Sequence, residues 1–258
     1  MLRPFKFSGA GNDFVVLDGR QADMAPFRDP VRIGELCRQY RTDGLMILTE
    51  GPLDFTMEFY NPDGSGGMMC GNGGRCIVAF ADYLGIRPAD GIAYRFLAPD
   101  GEHTAEILSG SSEESSWTVR LKMIDVEGIT PVKGGYFLNT GTRHFVKFVE
   151  DVDRVDMEAD AKPLRWDPAF QPEGTNVNFV AVRADGLHVR TFEKGVEGET
   201  LACGTGLTAS AIAAYYIGKP DTRLRARQDW LSVNFTPGAD EKFTDVYLTG
   251  PARLVGIF

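Results

Sequence analysis

The residues of this chain best suited to chemistry are two cysteines in matching glycine-rich motifs. Cys70 begins the run Cys-Gly-Asn-Gly at residues 70–73, and Cys203 begins the run Cys-Gly-Thr-Gly at residues 203–206. A phenylalanine lies eleven residues before each cysteine, and a glycine lies fifteen residues after it. We interpret the pattern as one strand–turn–cysteine–helix unit that occurs twice, once in each half of the chain.

Each motif puts a thiol and several glycine amides where a helix is predicted to begin. The first amides of a helix lack internal partners and carry partial positive charge, and glycine lets an anion approach them closely. We therefore expect thiolate formation to be favoured at both cysteines, with a substrate carboxylate bound beside them. Two thiols on opposite sides of one α-carbon would remove a proton from one face and return one to the other, without a cofactor.

The remaining cysteines have no such setting. Cys37 falls on a predicted amphipathic helix and Cys76 inside an apolar one, so both are predicted to be small buried hydrophobic residues. Cys70 and Cys76 are six residues apart and the three histidines are scattered, which does not match the ligand spacing of a zinc site. We expect no metal and no cofactor.

The elements that position these motifs are mostly strands. Strands are predicted from Val, Ile, Phe and Tyr content at Asp13–Asp18, Gly44–Thr49, Asp54–Tyr60, Trp117–Met123, Val177–Val182, Leu187–Glu193 and Asp245–Leu248. Three helices are predicted, at Val31–Tyr40 after an Asp29 N-cap, and at Gly74–Leu84 and Leu207–Ile217 after the cysteine motifs. The last two are apolar nearly all round, which predicts burial on every side. Gly85 and Gly218 stand where helix-ending glycines occur.

Composition limits the remaining function classes. The chain has 258 residues and a net charge of −9, which argues against a nucleic-acid partner. No apolar run reaches the length of a membrane span, and residues 1–7 lack a signal-peptide core, so we expect a cytoplasmic protein without a membrane partner. Residues 1–7 alternate in polarity, which predicts an edge strand, and the serine-rich segment 109–116 is the predicted linker. The sequence leaves the oligomeric state open, with a homodimer as one option.

The cysteine motifs resemble those of the diaminopimelate epimerase family. The family's Gly-x-Gly-Asn-Asp-Phe start is matched at residues 9–14. Its first cysteine motif is matched by Asn-Pro-Asp-Gly-Ser at 61–65 and by residues 69–76, and its second by residues 193–195 and 198–206. These segments occur in the family's order and span both halves of the chain.

The resemblance implies an α/β (α+β) fold of two similar domains. Each domain would wrap a curved sheet or barrel around a central helix, with the active site in the interdomain cleft. The first domain would comprise residues 1–116 with about 250–258, and the second residues 117–249. The implied function is a cofactor-independent two-base epimerase that interconverts LL- and meso-2,6-diaminopimelate, in lysine and peptidoglycan precursor synthesis.

The resemblance also implies roles for individual residues. Cys70 and Cys203 match the two acid/base thiols, and Glu193 matches a residue that would hold the α-ammonium group. His144 matches a residue near the reacting centre. The substrate-binding set as a whole is Asn12, Asn61, Gly71, Asn72, Asn176, Glu193, Lys194, Gly204 and Thr205.

Two questions stay open at this point. Family members often have an arginine where Lys194 stands, and that arginine grips the distal carboxylate, so Arg143 is a second candidate for this contact. The alternative function is another two-thiol amino-acid racemase, such as a proline or hydroxyproline type, since fold and chemistry alone do not fix a substrate. A non-catalytic thiol switch is less favoured, because it would not need glycine-rich helix starts beside both cysteines.

Overall fold

The computed structural model describes residues 2–67 and 69–258, which divide into two compact units. The first unit comprises Met1–Leu121 together with Gly250–Phe258, and the second unit comprises Lys122–Thr249. The chain passes from the first unit to the second at Leu121, the penultimate residue of a strand that spans Ser116–Lys122. The predicted boundary lay at the start of that strand.

The first unit is an eight-stranded closed barrel. Its strands follow one another in chain order, and the last, β16, pairs with both β7 and β1 to close the barrel. The strands are β1 (Phe5–Gly9), β2 (Asn12–Asp18), β3 (Gly44–Thr49), β4 (Phe55–Tyr60), β5 (Tyr94–Ala98), β6 (Gly101–Ser111), β7 (Ser116–Lys122) and the C-terminal part of β16 (Phe243–Ile257).

Two sequence-based expectations for this unit were wrong. The N-terminal strand is not an edge strand, because β1 pairs with β2 on one side and β16 on the other; Met1 lies outside the described residues. The serine-rich segment 109–116 is not a linker but the hairpin that joins β6 to β7, with Ser111 opposite Ser116. Serine and acidic residues suit a hairpin tip as well as a linker.

The helices of the first unit are a short 3₁₀ turn (Ala25–Phe27), α1 (Pro30–Tyr40) and α2 (Gly71–Tyr83). Asp29 caps α1 as predicted, because its carboxylate accepts a hydrogen bond of 3.0 Å from the Arg32 amide. Helix α1 covers one side of the sheet through a buried cluster that includes Ile33 and Leu36. Helix α2 is buried continuously from Gly71 to Ala81 and is the central helix of this barrel.

The second unit has the same kind of sheet. Its strands are β8 (Ile129–Val132), β9 (Gly135–Asn139), β10 (Arg143–Phe148), β11 (Asn176–Arg183), β12 (Gly186–Glu193), β13 (Gly198–Thr200), β14 (Arg223–Arg225), β15 (Trp230–Pro237) and the first part of β16. The order across the sheet is β16-β15-β14-β12-β11-β10-β9-β8, with β13 paired to β12. A bridge between Val126 and Phe243 connects the segment before β8 to β16.

The helical segments of the second unit lie before β11 and after β13. The first group comprises two 3₁₀ turns (Val152–Arg154 and Pro168–Phe170), a π-helical turn (Met157–Ala161) and α3 (Lys162–Arg165). The second is α4 (Gly204–Tyr216), whose residues are buried from Gly206 to Ala214. No helix within the described ranges combines the length and apolar character that a membrane crossing requires.

Strand pairing confirms the internal repeat. In the first unit β2 runs parallel to β3, β3 antiparallel to β4, and β4 parallel to β5, with α2 between β4 and β5. In the second unit β10, β11, β12 and β14 pair in the same directions, with α4 before β14. Both central helices begin three residues earlier than predicted, at Gly71 and Gly204, so the cysteines themselves are the N-caps. Gly85 and Gly218 follow the helices with φ of +77° and +71°, as expected of helix-ending glycines.

Candidate active site

The candidate site of the first unit is built on Cys70, the N-cap of α2. Cys70 has an extended backbone, and its sulfur accepts a hydrogen bond of 3.2 Å from the Gly73 amide. A Cβ at position 73 would lie 3.2 Å from that sulfur and 3.4 Å from the sulfur of Met46. Glycine at 73 therefore lets the thiol approach the helix start, and Cys70 stays partly exposed.

A directed chain of hydrogen bonds lies beside this helix start. Arg75 is fully buried and donates to the Gly71 carbonyl at 3.1 Å and to Asn72 Oδ1 at 2.8 Å. Asn72 Nδ2 donates to Asn12 Oδ1 at 2.5 Å, and Asn12 Nδ2 donates to the Asp43 carboxylate at 3.2 Å. A guanidinium only donates and a carboxylate only accepts, so the two ends of the chain fix the orientation of both amides.

Asn61 belongs to the same unit and follows β4. Its Nδ2 donates to Ser65 Oγ at 3.0 Å, and its backbone amide donates to the Ser65 carbonyl at 2.9 Å. The side chain of Asn61, which the resemblance implies is substrate-binding, therefore holds the turn at residues 61–65.

The candidate site of the second unit is built on Cys203, the N-cap of α4. Cys203 is buried, with 9% of the residue exposed, and its sulfur lies 3.4 Å from Thr205 Oγ1. The charge of Glu193, the last residue of β12, also acts on this thiol. Glu193 in turn accepts a hydrogen bond from the Thr200 hydroxyl on the neighbouring β13.

The protonation of this pair differs from the sequence-based expectation. Burial raises the pKa of the Cys203 thiol, and the nearby Glu193 charge raises that pKa further. The prediction that the thiolate is favoured at Cys203 was therefore wrong for this conformation, because the sequence revealed the helix start but not the depth of the sulfur. Burial also raises the pKa of Glu193. Both shifts favour the uncharged form of the group concerned.

His144 lies fully buried on β10, behind Thr205. Its Nε2 is 2.9 Å from Thr205 Oγ1, and its Nδ1 is 3.0 Å from the amide nitrogen of Asn178. Burial lowers the pKa of His144 to about 3, so the ring is neutral at physiological pH. The Thr205 carbonyl accepts a hydrogen bond of 2.9 Å from Thr140 Oγ1, which fixes the first turn of α4.

The two candidates for the distal carboxylate lie together at Glu173. The Arg143 guanidinium pairs with the Glu173 carboxylate, and Lys194 Nζ donates to the Glu173 carbonyl at 3.0 Å. Asn176 lies between them, since its Nδ2 donates to the Arg143 carbonyl at 2.8 Å and its Oδ1 accepts from the Lys194 amide at 2.8 Å. Asn176 thus joins the two backbone segments that carry the cations.

The structure therefore groups most of the predicted residues within their own units. Cys70, Gly71, Asn72 and Asn12 come together in the first, and Cys203, Gly204, Thr205, Glu193 and His144 in the second. Sequence reasoning missed Arg75, Asp43, Asn178 and Thr200. Asn176 and Asn178 alternate along an otherwise apolar strand and so face the same way, which is a signal that could have revealed Asn178. Within residues 2–67 and 69–258, no three His, Cys, Asp or Glu side chains form a group that could hold a metal ion.

Comparison with known families agrees with these motifs. The family model described as Diaminopimelate epimerase matches residues 5–113 and 136–255. The chain belongs to the diaminopimelate epimerase family. The diaminopimelate epimerase of Chlorobaculum tepidum is 40% identical to this family member over 259 residues, covering 96% of this chain and 97% of that protein.

Solved structures share the fold of this diaminopimelate epimerase family member. The phenazine biosynthesis protein of the PhzF family from Bacillus anthracis superposes with a TM-score of 0.75 at 12% identity, covering 100% of this chain and 98% of that one. A hydroxyproline epimerase from Agrobacterium vitis, solved with bound trans-4-hydroxy-L-proline, gives a TM-score of 0.65 at 14% identity and covers 100% and 90%. At these identities the likeness shows a common fold alone.

Proposed function

We propose that this protein is a diaminopimelate epimerase, an isomerase that interconverts LL- and meso-2,6-diaminopimelate. The observation that carries the proposal is the pair of N-caps: a cysteine caps the buried central helix of each of two equivalent units. The family of the chain supports diaminopimelate as the substrate rather than proline or hydroxyproline. The protein then serves lysine and peptidoglycan precursor synthesis, which fits a cytoplasmic location.

In this proposal Cys70 and Cys203 are the acid/base pair. One sulfur takes the α-proton as thiolate, and the other, as thiol, returns a proton to the opposite face of the same carbon. The two cysteines exchange roles with the isomer that binds. The substrate α-carboxylate is held by the first amides of α2 and α4, those of Gly71, Asn72, Gly204 and Thr205. These amides stabilise the negative charge that spreads onto the carboxylate when the α-proton leaves.

Glu193 has two tasks in the proposed reaction. It binds the α-ammonium group, and it takes the thiol proton when Cys203 acts as the base, because it is the carboxylate whose charge acts on that thiol. The raised pKa of Glu193 makes it a stronger base than an exposed carboxylate. The proton moves from sulfur to carboxylate, and the thiolate formed then accepts the α-proton of the substrate. No bound cofactor enters any of these steps.

The distal carboxylate of diaminopimelate binds at Arg143 and Lys194 in this proposal. The guanidinium of Arg143 already pairs with a carboxylate, that of Glu173, in the manner that a substrate carboxylate would adopt. Arginine offers a planar two-pronged contact that lysine lacks, so Arg143 is the main anchor and Lys194 the second cation. Asn12, Asn61 and Asn176 complete the substrate-binding set, Asn176 through the backbone segments that it joins.

The deciding experiment incubates the protein with LL-diaminopimelate in deuterated water. We expect meso-diaminopimelate with deuterium at the inverted carbon, because the returned proton comes from a thiol that has exchanged with solvent. L-proline and trans-4-hydroxy-L-proline serve as parallel substrates and should remain unchanged. Inversion of either of these without turnover of diaminopimelate would replace the proposal by the racemase alternative, and oxidation of thiols without any turnover would favour a thiol switch.

A further inference from the structure

Asn178 is a fully buried amide on β11 that contacts three other groups of the second unit. Its Nδ2 lies 3.1 Å from the Phe145 carbonyl oxygen and 3.0 Å from His144 Nδ1. Its Oδ1 accepts a hydrogen bond of 2.9 Å from Thr191 Oγ1. A buried amide with every atom engaged can hold only one orientation, and that orientation decides what its neighbours must do.

The Phe145 carbonyl determines which way the amide faces. A carbonyl oxygen only accepts hydrogen bonds, so the nitrogen of Asn178 must point at it; the reversed amide would place two acceptors 3.1 Å apart in a buried site. The second hydrogen of the same nitrogen then points at His144 Nδ1. That ring nitrogen must therefore be the unprotonated one, and in a neutral ring the hydrogen is on Nε2.

The direction continues from His144 to the cysteine. Nε2–H of His144 donates to Thr205 Oγ1 at 2.9 Å, so the threonine oxygen is the acceptor in that contact. The single hydrogen of the Thr205 hydroxyl is then available for the Cys203 sulfur at 3.4 Å. We propose that Asn178 is a positioning residue that fixes the direction of the chain from Asn178 through His144 and Thr205, so that the chain ends in an O–H donor to the Cys203 sulfur.

The value of this donor depends on the proposed function. When Cys203 acts as the base, its thiolate forms in a buried site, where the ionisable groups that face it are Glu193 and, through Thr205, the neutral ring of His144. A hydrogen bond donated to the thiolate stabilises it against burial and against the charge of Glu193. Because Nδ1 of His144 is occupied and Nε2 already carries a hydrogen, the ring cannot take the thiol proton. His144 therefore acts as a donor in this chain, and Glu193 is left as the base for Cys203.

The second glycine of the motif at residues 203–206 supports a close fit here. A Cβ on Gly206 would lie 2.4 Å from Asn178 Oδ1 and 3.2 Å from Thr191 Oγ1. The start of α4 thus packs directly on the Asn178 amide, and a side chain at 206 would push the amide away from His144. Gly206 serves this contact in addition to leaving the helix start bare.

The tautomer of His144 tests the proposal in the unmodified protein. Histidine ring nitrogens labelled with ¹⁵N report by NMR which nitrogen carries hydrogen, and the chain has only three histidines. The His144 signals are assigned as those lost in a His144→Gln variant. We expect the Nε2–H form, unchanged on titration from pH 8 to pH 5. A ring protonated at Nδ1, or an imidazolium within that range, would overturn the proposal.

The variant Asn178→Asp gives the functional test. A carboxylate at 178 accepts from His144 Nδ1, which transfers the ring hydrogen to Nδ1 and turns the Thr205 hydroxyl away from the sulfur. We expect kcat to fall roughly 10- to 100-fold with KM nearly unchanged, since a donor to a charged group is lost and no substrate contact changes. Ser210→Ala is the control, because its hydroxyl is equally buried in α4 but donates to the Gly206 carbonyl, outside the chain. That variant should keep both the tautomer and kcat.

The positioning role of Asn178 and the proposed function can be tested separately. Retention of the Nε2–H form and of kcat in Asn178→Asp would remove Asn178 from its positioning role. If Asn178→Asp does not fold, the tautomer in the unmodified protein decides. If His144 shows the expected form but diaminopimelate is not epimerised, the hydrogen-bond chain stands and the proposed function fails.

Discussion

The side-chain amide of Asn72 donates a hydrogen bond of 2.5 Å to the side-chain oxygen of Asn12. This contact joins the first turn of α2 to the Gly-x-Gly-Asn-Asp-Phe segment, two motifs that are far apart in the sequence. Both residues belong to the proposed substrate-binding set, and the donor end of their chain is the buried guanidinium of Arg75. Each amide oxygen in this chain thus accepts a hydrogen bond and each amide nitrogen donates one.

Replacement of Asn72 by aspartate tests this polarity. Asn72→Asp keeps the acceptor for Arg75 but puts a carboxylate where the substrate carboxylate is proposed to bind, and like charges in contact cost several kcal/mol. We expect kcat/KM to fall roughly 100-fold or more, chiefly through KM. Asn234→Asp, an exposed change of the same kind on β15, should leave kcat/KM unchanged. A similar kcat/KM in both variants would show that Asn72 does not face the substrate.

Alanine variants of the four cysteines distinguish the thiols proposed to act in catalysis from those that only pack in the core. Cys70→Ala and Cys203→Ala should each lower kcat by about 10²- to 10⁴-fold, because each removes a proton-transfer group. Cys37→Ala and Cys76→Ala should keep kcat and lose about 1 kcal/mol of unfolding free energy, since both thiols are buried in apolar surroundings. Steady-state kinetics and urea unfolding of all four variants give the comparison. Normal turnover in either of the first two would remove that cysteine from the mechanism.

The stability of the protein should depend on His144 at mildly acidic pH. The pKa of His144 is lowered from 6.5 to about 3 in the folded state, so the unfolded chain binds the proton more tightly. The contribution of the neutral His144 ring to the free energy of unfolding is complete above pH 6.5 and is lost as the pH falls towards 3. The loss amounts to a few kcal/mol, because a tenfold change in proton affinity corresponds to about 1.4 kcal/mol. His144→Gln should flatten this part of the pH profile of unfolding free energy, whereas His188→Gln, near the surface beside Asp185, should not.

The pH dependence of stability that comes from Glu193 should have the opposite sign to that from His144. Its pKa is raised from 4.5 by burial, so ionisation of the folded state costs stability, and this cost appears as pH rises through the folded pKa. Glu193→Gln should therefore be more stable than the unmodified protein at pH 7, and the difference should shrink as the pH falls from the raised folded pKa towards 4.5, below which it should be absent. The same variant should lose roughly 10²-fold or more in kcat. Glu199→Gln on β13, whose partner is Arg190, is the control for activity. Equal stability of the Glu193→Gln variant and the parent at every pH would show that this carboxylate is well solvated.

The cations at Glu173 should set the selectivity for the distal carboxylate. Arg143→Ala should lower kcat/KM for diaminopimelate roughly 10- to 100-fold, the loss expected for a charge-assisted contact, and Lys194→Ala should lower it less. Glu173→Gln should lower KM by at most about fivefold, because it releases Arg143 from an exposed ion pair. Lys162→Ala, whose partner is Glu158, is the matched control. An unchanged kcat/KM in Arg143→Ala and a large loss in Lys194→Ala would reverse the assignment.

The starts of the two central helices could be predicted from the sequence to within three residues, because cysteine followed by glycines before an apolar run is a local signal. The burial of α2 and α4 was predicted as well, since their sequences are apolar on all sides. Short strands such as β8, β13 and β14 carry Pro, Gly or Arg and have no local signal of their own; their pairing partners define them. The barrel closure that makes β1 an internal strand depends on β16, at the other end of the chain.

The kinds of chemical group in the candidate site could be predicted from the sequence, but the direction in which the pKa of the Cys203 thiol shifts could not. The glycine pattern indicated bare amides beside Cys70 and Cys203, and the structure shows sulfur in contact with the Gly73 amide. Whether burial or the helix start dominates at Cys203 depends on the strands packed around it, which no spacing in the sequence reveals. Asn178 was missed for a related reason, since a polar residue in a strand acquires its role only from the backbone carbonyl and the histidine that it meets.

Strand β16 has a consequence for the order in which the chain can assemble. The residues of β16 from Gly250 onward pair with β7 and β1, and they form the strand that closes the barrel of the first unit, the unit that contains Cys70. On the ribosome, the N-terminal barrel therefore cannot close until the segment from Gly250 onward has left the exit tunnel, although most of the strands of the barrel are made first. The second unit is contiguous from Lys122 to Thr249, so its folding does not depend on a later segment of the chain. Loss of the residues from Gly250 onward would open the barrel of the first unit, which is mostly synthesised before the second unit. It would leave β1 and β7 as unpaired edge strands that favour aggregation.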